Sequence, residues 1–215
     1  MVYELQNEPD HTDQFTGTVA DMVALTQVEY DAIRAADPTA LIGSPSGDPN
    51  NYMQQYWNAG GVQTVDLLTF HDYPDPTLSA NDQTYPAAEN VLYSSHREFQ
   101  SGTTFASLAQ TKPVWNTEGS SNLGATANQD QQSAFVARFY LMHWSNGISH
   151  LAWYAWDHTG LGTLWYNGAE LKQANAYRQV YNWMVGATMP SACVQSGSAT
   201  DIFRGGGQFE CPLTS

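Results

Sequence analysis

Two glutamates in the sequence each end a short apolar segment at a polar turn. Glu8 lies in Asn7-Glu8-Pro9, directly after VYELQ, and Glu118 ends the segment KPVWNTE. An isolated glutamate at such a point could simply cap the next turn. Two of them, each with an asparagine nearby, fit glycoside hydrolysis better, in which one carboxyl protonates the leaving oxygen and the other attacks or activates water. The sequence therefore predicts Glu8 and Glu118 as the catalytic residues.

Polar or aromatic residues follow two further apolar segments at the same point. His71 and Asp72 come late in VDLLTFHDY, and Trp156 and Asp157 come at the end of HLAWYAW. Because ligands bind at the carboxyl ends of parallel strands, agreement among four segments indicates one site. Two alternatives stay open: the His71 ring could satisfy a backbone carbonyl, and Trp153 could belong to the core.

A metal site is the alternative chemistry for these residues. His158, Asp157 and Asp72 offer imidazole and carboxylate donors. The sequence has no HExxH motif, however, and none of the Cys/His spacings that hold zinc. We therefore predict no metal and no cofactor.

Strand-like and helix-like segments alternate along the chain and must position these residues. Apolar segments predict strands at 2–6, 40–44, 65–73, 112–118 and 150–156, and periodic patterns predict helices near 18–36, 49–59, 87–110, 127–145 and 171–185. This alternation indicates parallel βα units with right-handed crossovers. The predicted fold class is α/β, with about five βα units.

Composition narrows the class of partner. The 215 residues include 42% apolar and 13% aromatic residues, which is ample for a core. The formal charge of −14 argues against nucleic acid and against a membrane as partners. With 7 Trp and 12 Tyr but only 13% charged residues, the chain suits a neutral polar ligand, and carbohydrate is the predicted partner.

The two cysteines help to predict the cellular compartment of the parent protein. Cys193 and Cys211 both lie near the end of the chain in a region rich in Gly and Ser. A disulfide between them would suit an extracellular parent protein, and two free surface thiols are the alternative. We expect an extracellular or secreted parent protein, although these residues contain no recognisable signal peptide.

The ordered motifs resemble those of the retaining (β/α)8-barrel glycoside hydrolases, a large clan with catalytic glutamates on strands four and seven. YELQNEPD is similar to the strand-four motif, whose Asn-Glu-Pro carries the acid/base, here Glu8. KPVWNTEGS is similar to the strand-seven motif, which carries the nucleophile, here Glu118. LLTFHDYP resembles the strand-six segment and LAWYAWD the strand-eight segment. Among the members of this clan, the xylosidase-like and endoglycanase-like enzymes resemble these motifs most.

The resemblance implies roles for the other matching residues. Asn7 would bond the 2-hydroxyl of the sugar, and His71 or Tyr73 would reach the surroundings of the nucleophile. Trp156 would form the floor on which the sugar stacks, with a cis peptide bond after it. The implied activity is retaining cleavage of a β-linked polysaccharide or oligosaccharide.

The resemblance also implies which part of the barrel is present. Residues 1–186 are similar to strands four to eight, a partial or half TIM barrel, and residues 187–215 resemble the truncated start of a β-sandwich accessory domain. Five parallel strands would leave two edges and an open apolar face, so we expect a homodimer or higher homo-oligomer. Because strands one to three also contribute to the sugar site in that clan, two alternatives stay open: a non-catalytic carbohydrate-binding fragment and a structural remnant of such a barrel.

Overall fold

The structure, a computed structural model, covers the candidate site residues. It describes residues 1–48, 51–73, 107, 109–121, 124–126, 128–195 and 209–215. Almost all of the helix expected near 87–110 lies outside the described residues.

Within these residues the chain forms nine strands and four helices. The strands are β1 Val2–Glu4, β2 Leu41–Gly43, β3 Leu68–Asp72, β4 Val114–Gly119, β5 Ile148–Trp153, β6 Trp165–Tyr166, β7 Ala169–Glu170, β8 Val194–Gln195 and β9 Phe209–Glu210. The helices are α1 Val19–Ala36, α2 Asn51–Asn58, α3 Gln129–Ser145 and α4 Lys172–Met184. The five predicted strands and four of the five predicted helices are therefore present.

The chain divides into two compact units. The first includes Met1–Asp72 and the segment of β4 that ends at Glu118, and the second includes Tyr73 and Gly119–Ser215. The first unit therefore holds β1, β2, β3 and most of β4 with α1 and α2. The second holds β5 to β9 with α3 and α4. The predicted boundary between residues 186 and 187 stays a prediction.

The strands of the first unit pair in chain order. β1 and β2 are parallel, with Tyr3 opposite Ile42. A parallel bridge between Gly43 and Leu67 joins β2 to the start of β3, and β3 and β4 are neighbours. Since parallel neighbours present their carboxyl ends at one edge, the turns after β1 and β2 and the ends of β3 and β4 lie on the same side of this sheet.

Local sequence sets the ends of α1. Thr18 and Asp21 form a capping box, in which the Thr18 side chain accepts a hydrogen bond from the Asp21 N–H at 3.2 Å and the Asp21 carboxylate accepts one from the Thr18 N–H at 2.8 Å. At the other end Asp37 lies before Pro38, which disfavours helical backbone at Asp37. These two signals explain why the predicted helix, 18–36, matches the observed Val19–Ala36.

The core of the first unit lies between its sheet and its two helices. Its fully buried large side chains include Met22, Ile42, Tyr56, Trp57 and Phe70. The Tyr56 hydroxyl lies 2.9 Å from Thr26 Oγ1, so a buried hydrogen bond also joins α2 to α1. The apolar faces of these elements thus fix the strand ends that carry the site.

The core of the second unit is aromatic. α3 packs against α4 and β5, and the rings of Phe135 and Phe139 stack with centroids 5.2 Å apart. Trp153 packs edge-on against Phe139 and donates its Nε1 hydrogen to the Gly162 carbonyl at 2.7 Å. The core alternative for Trp153 is therefore confirmed.

Two short hairpins and a disulfide complete the second unit. β6 and β7 pair antiparallel around Asn167-Gly168, both at positive φ, as in the commonest two-residue hairpin turns. This hairpin was not predicted. β8 and β9 pair antiparallel, and Cys193 and Cys211 form the expected disulfide. None of the helices among the described residues is both long enough and apolar enough to cross a membrane.

Candidate active site

Three of the predicted residues come together in the first unit. A carboxylate oxygen of Glu8, a ring nitrogen of His71 and a carboxylate oxygen of Glu118 all lie within 4.8 Å of one another. His71 is buried, whereas both glutamates are partly exposed. The two carboxyls are therefore close enough for both to reach one substrate atom or one water molecule.

The backbone places Glu8 in an unusual conformation. Its φ is +43°, in the left-handed region, although it is neither Gly nor Asn and is followed by Pro9. Its N–H donates to the Ser46 carbonyl at 2.7 Å, and its carbonyl accepts from the His11 N–H at 2.9 Å. Such conformations persist where the surroundings fix them, and they cluster at functional sites.

Both ring nitrogens of His71 contact side chains. Nδ1 lies 3.0 Å from Glu8 Oε1, and Nε2 lies 3.0 Å from Ser46 Oγ. The backbone N–H of His71 donates to the Gly47 carbonyl at 3.0 Å, which fixes β3 beside the turn after β2. The alternative in which the ring only satisfies a backbone carbonyl is therefore wrong.

Glu118 lies on β4, next to its last residue. Asn116, which is fully buried, accepts the Glu118 N–H through its side-chain oxygen at 3.2 Å. This bond holds the backbone at the strand end and so orients Glu118. Asn7, at the other predicted position, is exposed directly before Glu8, and its backbone forms a parallel bridge with Ser46.

A second group of polar residues, not predicted from the sequence, contacts this cluster through His71. Ser46 Oγ donates a short hydrogen bond to Glu4 Oε1, and Thr117 Oγ1 donates to the same oxygen at 2.6 Å. Glu4 Oε1 lies 4.0 Å from His71 Nε2. The only sequence signal for this group was the charge of Glu4 within the predicted strand VYELQ.

Two aspartates near the site are held in an environment that opposes their ionisation. Burial, and then the charge of Asp48, raise the pKa of Asp72 to about 8. Burial, followed by the charges of Asp10 and Glu8, also raises the pKa of Asp48, while His71 opposes that shift. Several carboxyl groups therefore lie close together at the carboxyl ends of these strands. They cannot all ionise at neutral pH without a cost in free energy.

The remaining predicted residues belong to the second unit. Tyr73 packs edge-on against Tyr154, with ring centroids 6.3 Å apart. Trp156 is 50% exposed and stacks on Trp165 at 5.9 Å. Tyr154 is an aromatic residue at a strand end that was not among the predicted site residues.

The predicted position of the cis peptide bond was wrong. The cis bond joins Tyr154 and Ala155, two residues before Trp156. β5 ends at Trp153, whereas the predicted strand ran to residue 156. The end of the strand therefore comes earlier than the motif suggested.

The three clustered side chains also form a donor set that could hold a divalent cation. It is the one such group of three among the described residues. A cation there would have to replace the direct contact between His71 Nδ1 and Glu8 Oε1 at 3.0 Å. Of the metal donors considered in the sequence, Asp157 and His158 are exposed and Asp72 is buried. We assign no metal ligands.

The family comparison agrees with this arrangement. Residues 1–159 match the model of the cellulase family, glycosyl hydrolase family 5, and this stretch contains Glu8, His71 and Glu118. The class of protein is thus the barrel-type glycoside hydrolase that the motifs predicted. The chain belongs to glycosyl hydrolase family 5. No curated protein is similar enough to match it.

Solved structures show the same fold. An endo-β-1,3-glucanase of glycoside hydrolase family 128 from Sorangium cellulosum is 21% identical, with a TM-score of 0.58, over 80% of this chain and 66% of that one. A family 39 glycoside hydrolase from Bacteroides cellulosilyticus is 20% identical, with a TM-score of 0.59, over 90% and 43%. A family 51 arabinofuranosidase from Xanthomonas axonopodis pv. citri is 8% identical, with a TM-score of 0.64, over 98% and 45%.

These similarities concern the fold alone. They confirm the predicted α/β class and the resemblance to part of a TIM barrel. The chain spans between 43% and 66% of the lengths of these three structures. The activity, the substrate and the partners of the protein are therefore proposals.

Proposed function

We propose that this protein hydrolyses β-linked glycans by the retaining, double-displacement mechanism. The observation that carries the proposal is the approach of Glu8 and Glu118, with carboxylate oxygens within 4.8 Å. Retaining enzymes place their carboxyls roughly 5–5.5 Å apart, whereas inverting enzymes need about 6.5–9.5 Å to admit a water molecule. The geometry favours direct attack by one carboxylate.

The two glutamates take different roles in the proposed reaction. Glu118 attacks the anomeric carbon, and Glu8 gives its proton to the leaving oxygen as the glycosidic bond breaks. The sugar is then held as an ester of Glu118. Glu8, now a carboxylate, takes a proton from water as that water attacks the anomeric carbon and releases Glu118. Two displacements restore the original configuration.

The proposed substrate is a neutral β-linked polysaccharide or oligosaccharide. Asn7 is exposed beside Glu8 and is the residue proposed for the sugar 2-hydroxyl. Trp156 and Tyr73, with Tyr154, are proposed to offer aromatic faces to sugar rings. The formal charge of −14 disfavours anionic glycans. The similar protein from Sorangium cellulosum is an endo-β-1,3-glucanase, which makes β-glucans the first substrates to test.

We also propose an oxidising, extracellular location for the parent protein. The Cys193–Cys211 disulfide supports it, because disulfides persist mainly outside the cytosol. Polysaccharide substrates are found in the same compartment. Secretion of the parent protein into culture medium would test this point.

The experiment compares leaving groups in matched variants. Glu8→Gln should lower kcat/KM for phenyl β-glycosides by about 10²–10⁴-fold, the usual contribution of a general acid. It should lower the rate with dinitrophenyl β-glycosides far less, because that leaving group needs no proton. Glu118→Gln should abolish turnover of both substrates. Glu210→Gln makes the same chemical change at an exposed position and serves as the control.

Two results would overturn the proposal. Carbohydrate binding without turnover in the wild-type protein would indicate the carbohydrate-binding alternative. Equal sensitivity of both substrates to Glu8→Gln would remove Glu8 from the role of acid.

A further inference from the structure

We propose that Glu4 is a positioning residue that acts through Ser46 and His71 to keep a proton between His71 and Glu8. This inference rests on the proposed function, because that proton is the one the leaving group receives. Glu4 does not belong to the carboxylate pair itself. Its role follows from the direction of four hydrogen bonds that connect β1, the turn after β2, β3 and β4.

The contacts form a continuous chain within the first unit. Glu4 Oε1 accepts from Ser46 Oγ and also from Thr117 Oγ1, the latter at 2.6 Å. Ser46 Oγ lies 3.0 Å from His71 Nε2. His71 Nδ1 lies 3.0 Å from Glu8 Oε1. Ser46 and His71 are buried, so water does not readily enter the contact between them, whereas the Glu4 side chain is 33% exposed and is held by its two hydroxyl partners.

The direction of the chain starts at Glu4. A carboxylate only accepts hydrogen bonds, and two hydroxyls point their hydrogens at the same oxygen of Glu4. Because Ser46 has a single hydroxyl hydrogen and gives it to Glu4, its Oγ presents only lone pairs to His71. His71 Nε2 must therefore carry a hydrogen and donate it to Ser46 Oγ.

The same logic continues across the ring. A neutral imidazole carries one hydrogen, so with Nε2 protonated its Nδ1 is an acceptor. Nδ1 then makes a hydrogen bond with Glu8 only if a further proton lies between them. That proton is either on the Glu8 carboxyl or on a doubly protonated His71. In both cases the pair holds a transferable proton beside the leaving oxygen of the proposed substrate.

Loss of Glu4 would remove this constraint. Without an acceptor for the Ser46 hydrogen, Ser46 could donate to Nε2 instead. The ring could then carry its single hydrogen on Nδ1 and donate it to an ionised Glu8. That arrangement satisfies every hydrogen bond but has one proton fewer, so Glu8 would lose its function as an acid.

The backbone supports a positioning role for Ser46 as well. Its carbonyl accepts the Glu8 N–H at 2.7 Å, and its own N–H donates to the Gln6 carbonyl at 3.2 Å. Ser46 therefore fixes both the main chain of Glu8 and the imidazole that faces the Glu8 carboxyl. Thr117, next to Glu118, fixes the Glu4 carboxylate from β4.

The first readout is the tautomer of His71 and requires no turnover. Long-range ¹⁵N–¹H NMR of ¹⁵N-histidine-labelled protein distinguishes the two tautomers, and the spectrum of His71→Gln assigns the signal. In the wild type we expect Nε2 to be protonated at neutral pH. In Glu4→Ala, which removes the acceptor of the Ser46 hydrogen, and in Ser46→Ala we expect a population that is protonated on Nδ1 alone. A wild type protonated only on Nδ1, or unchanged tautomers in both variants, would overturn the proposal.

The second readout is the dependence on leaving group. Glu4→Ala and Ser46→Ala should lower kcat/KM for phenyl β-glycosides by about tenfold or more, part of what a general acid contributes. They should change the rate with dinitrophenyl β-glycosides much less. A variant that was only misfolded would lose both activities together. Glu210→Ala, at an exposed position, is the control for the loss of one glutamate side chain.

The two readouts separate the two proposals. If the wild-type protein hydrolyses neither substrate, the proposed function fails, while the NMR result still decides the role of Glu4 in setting the tautomer. If the wild type is active and Glu4→Ala has the leaving-group dependence of the wild type, the role of Glu4 is refuted and the proposed function stands.

Discussion

His71 Nδ1 lies 3.0 Å from Glu8 Oε1, although 63 residues separate the two in the chain. Glu8 follows β1 and His71 lies on β3, so the contact depends on the strand order of the first unit. Two residues that the motifs suggested separately are thus one hydrogen-bonded pair. A carboxylate oxygen of Glu118 lies within 4.8 Å of that pair. Because glycoside hydrolysis needs an acid beside a second carboxylate, the pair of His71 and Glu8 is a candidate for the acid.

The left-handed backbone of Glu8 predicts that a residue with a better tolerance of positive φ would stabilise the fold. Asn adopts positive φ more readily than other residues with a side chain. Glu8→Asn should therefore be more stable than Glu8→Gln by about 1 kcal/mol, which corresponds to roughly 2–4 °C in Tm. Both variants lose the same carboxylate and differ in their tolerance of positive φ and in one methylene group. Thermal unfolding measures the difference in stability, and equal Tm values would show that Glu8 carries no strain.

Asp72 predicts a specific dependence of stability on pH. Its pKa is about 8 in the folded protein, above the roughly 3.9 of an unfolded aspartate. Its stabilising contribution is therefore complete below about pH 4, decreases as the pH rises toward 8, and changes little above that. Across this window the loss is at most about 1.4 kcal/mol per pH unit.

Asp72→Asn should remove that decrease. Urea unfolding at pH 5, 6.5 and 8 should show the wild type losing free energy of unfolding faster than the variant. Asp13→Asn, at an exposed position, controls for the change in net charge. Parallel slopes for the wild type and Asp72→Asn would contradict the prediction.

Activity should be independent of metal ions. The two carboxylates of the proposed mechanism supply the nucleophile and the proton, and no step needs a Lewis acid. Dialysis against EDTA should leave kcat/KM unchanged. A loss of activity that added Zn²⁺ restores would instead make Glu8, His71 and Glu118 a metal site.

The edge of the first unit predicts self-association. Among the described residues β1 pairs only with β2, and Val2 and Tyr3 are exposed. A cavity of about 380 Å³ lies between this strand and α1. Exposed apolar edge strands are sites of chain pairing, and a twofold dimer is the commonest outcome.

Light scattering after size exclusion should therefore show a dimer or a higher oligomer at micromolar concentration. Val2→Lys should shift it toward the monomer, because a lysine on an edge strand opposes pairing. Val28→Lys makes the same change at an exposed position on α1 and should not. A monomeric wild type would refute the expectation.

The sequence predicted the elements with strong local signals. The periodic pattern over residues 18–36 predicted α1 to within one residue of its observed bounds, and the Thr18 capping box and the Asp37-Pro38 pair are the local features that set its ends. The Asn-Glu-Pro and Trp-Asn-Thr-Glu segments predicted Glu8 and Glu118 as a catalytic pair, because two glutamates at strand ends, each with an asparagine nearby, fit paired-carboxylate chemistry. The structure places the two close together. The Asn167-Gly168 turn also carried a hairpin signal, although that hairpin was not among the predicted elements.

What could not be predicted depends on contacts between distant strands. The Glu4–Ser46 hydrogen bond joins residues 42 positions apart, and only the register of β1 and β2 brings them together. The position of the cis bond depended on where β5 ends, and strand ends are the least certain part of a pattern. Networks of this kind follow from tertiary structure rather than from local sequence.

The most direct test of the central claim is to trap the covalent intermediate. Dinitrophenyl 2-deoxy-2-fluoro-β-glycosides of glucose and xylose form the glycosyl ester but hydrolyse it slowly, so the protein should gain the mass of one fluoroglycosyl group. Mass spectrometry of peptides should place that group on Glu118, and Glu118→Gln should gain none. A label on another residue, or NMR showing that the first sugar released from a β-glycoside is the α anomer, would contradict the assignment of Glu118 as the nucleophile of a retaining enzyme.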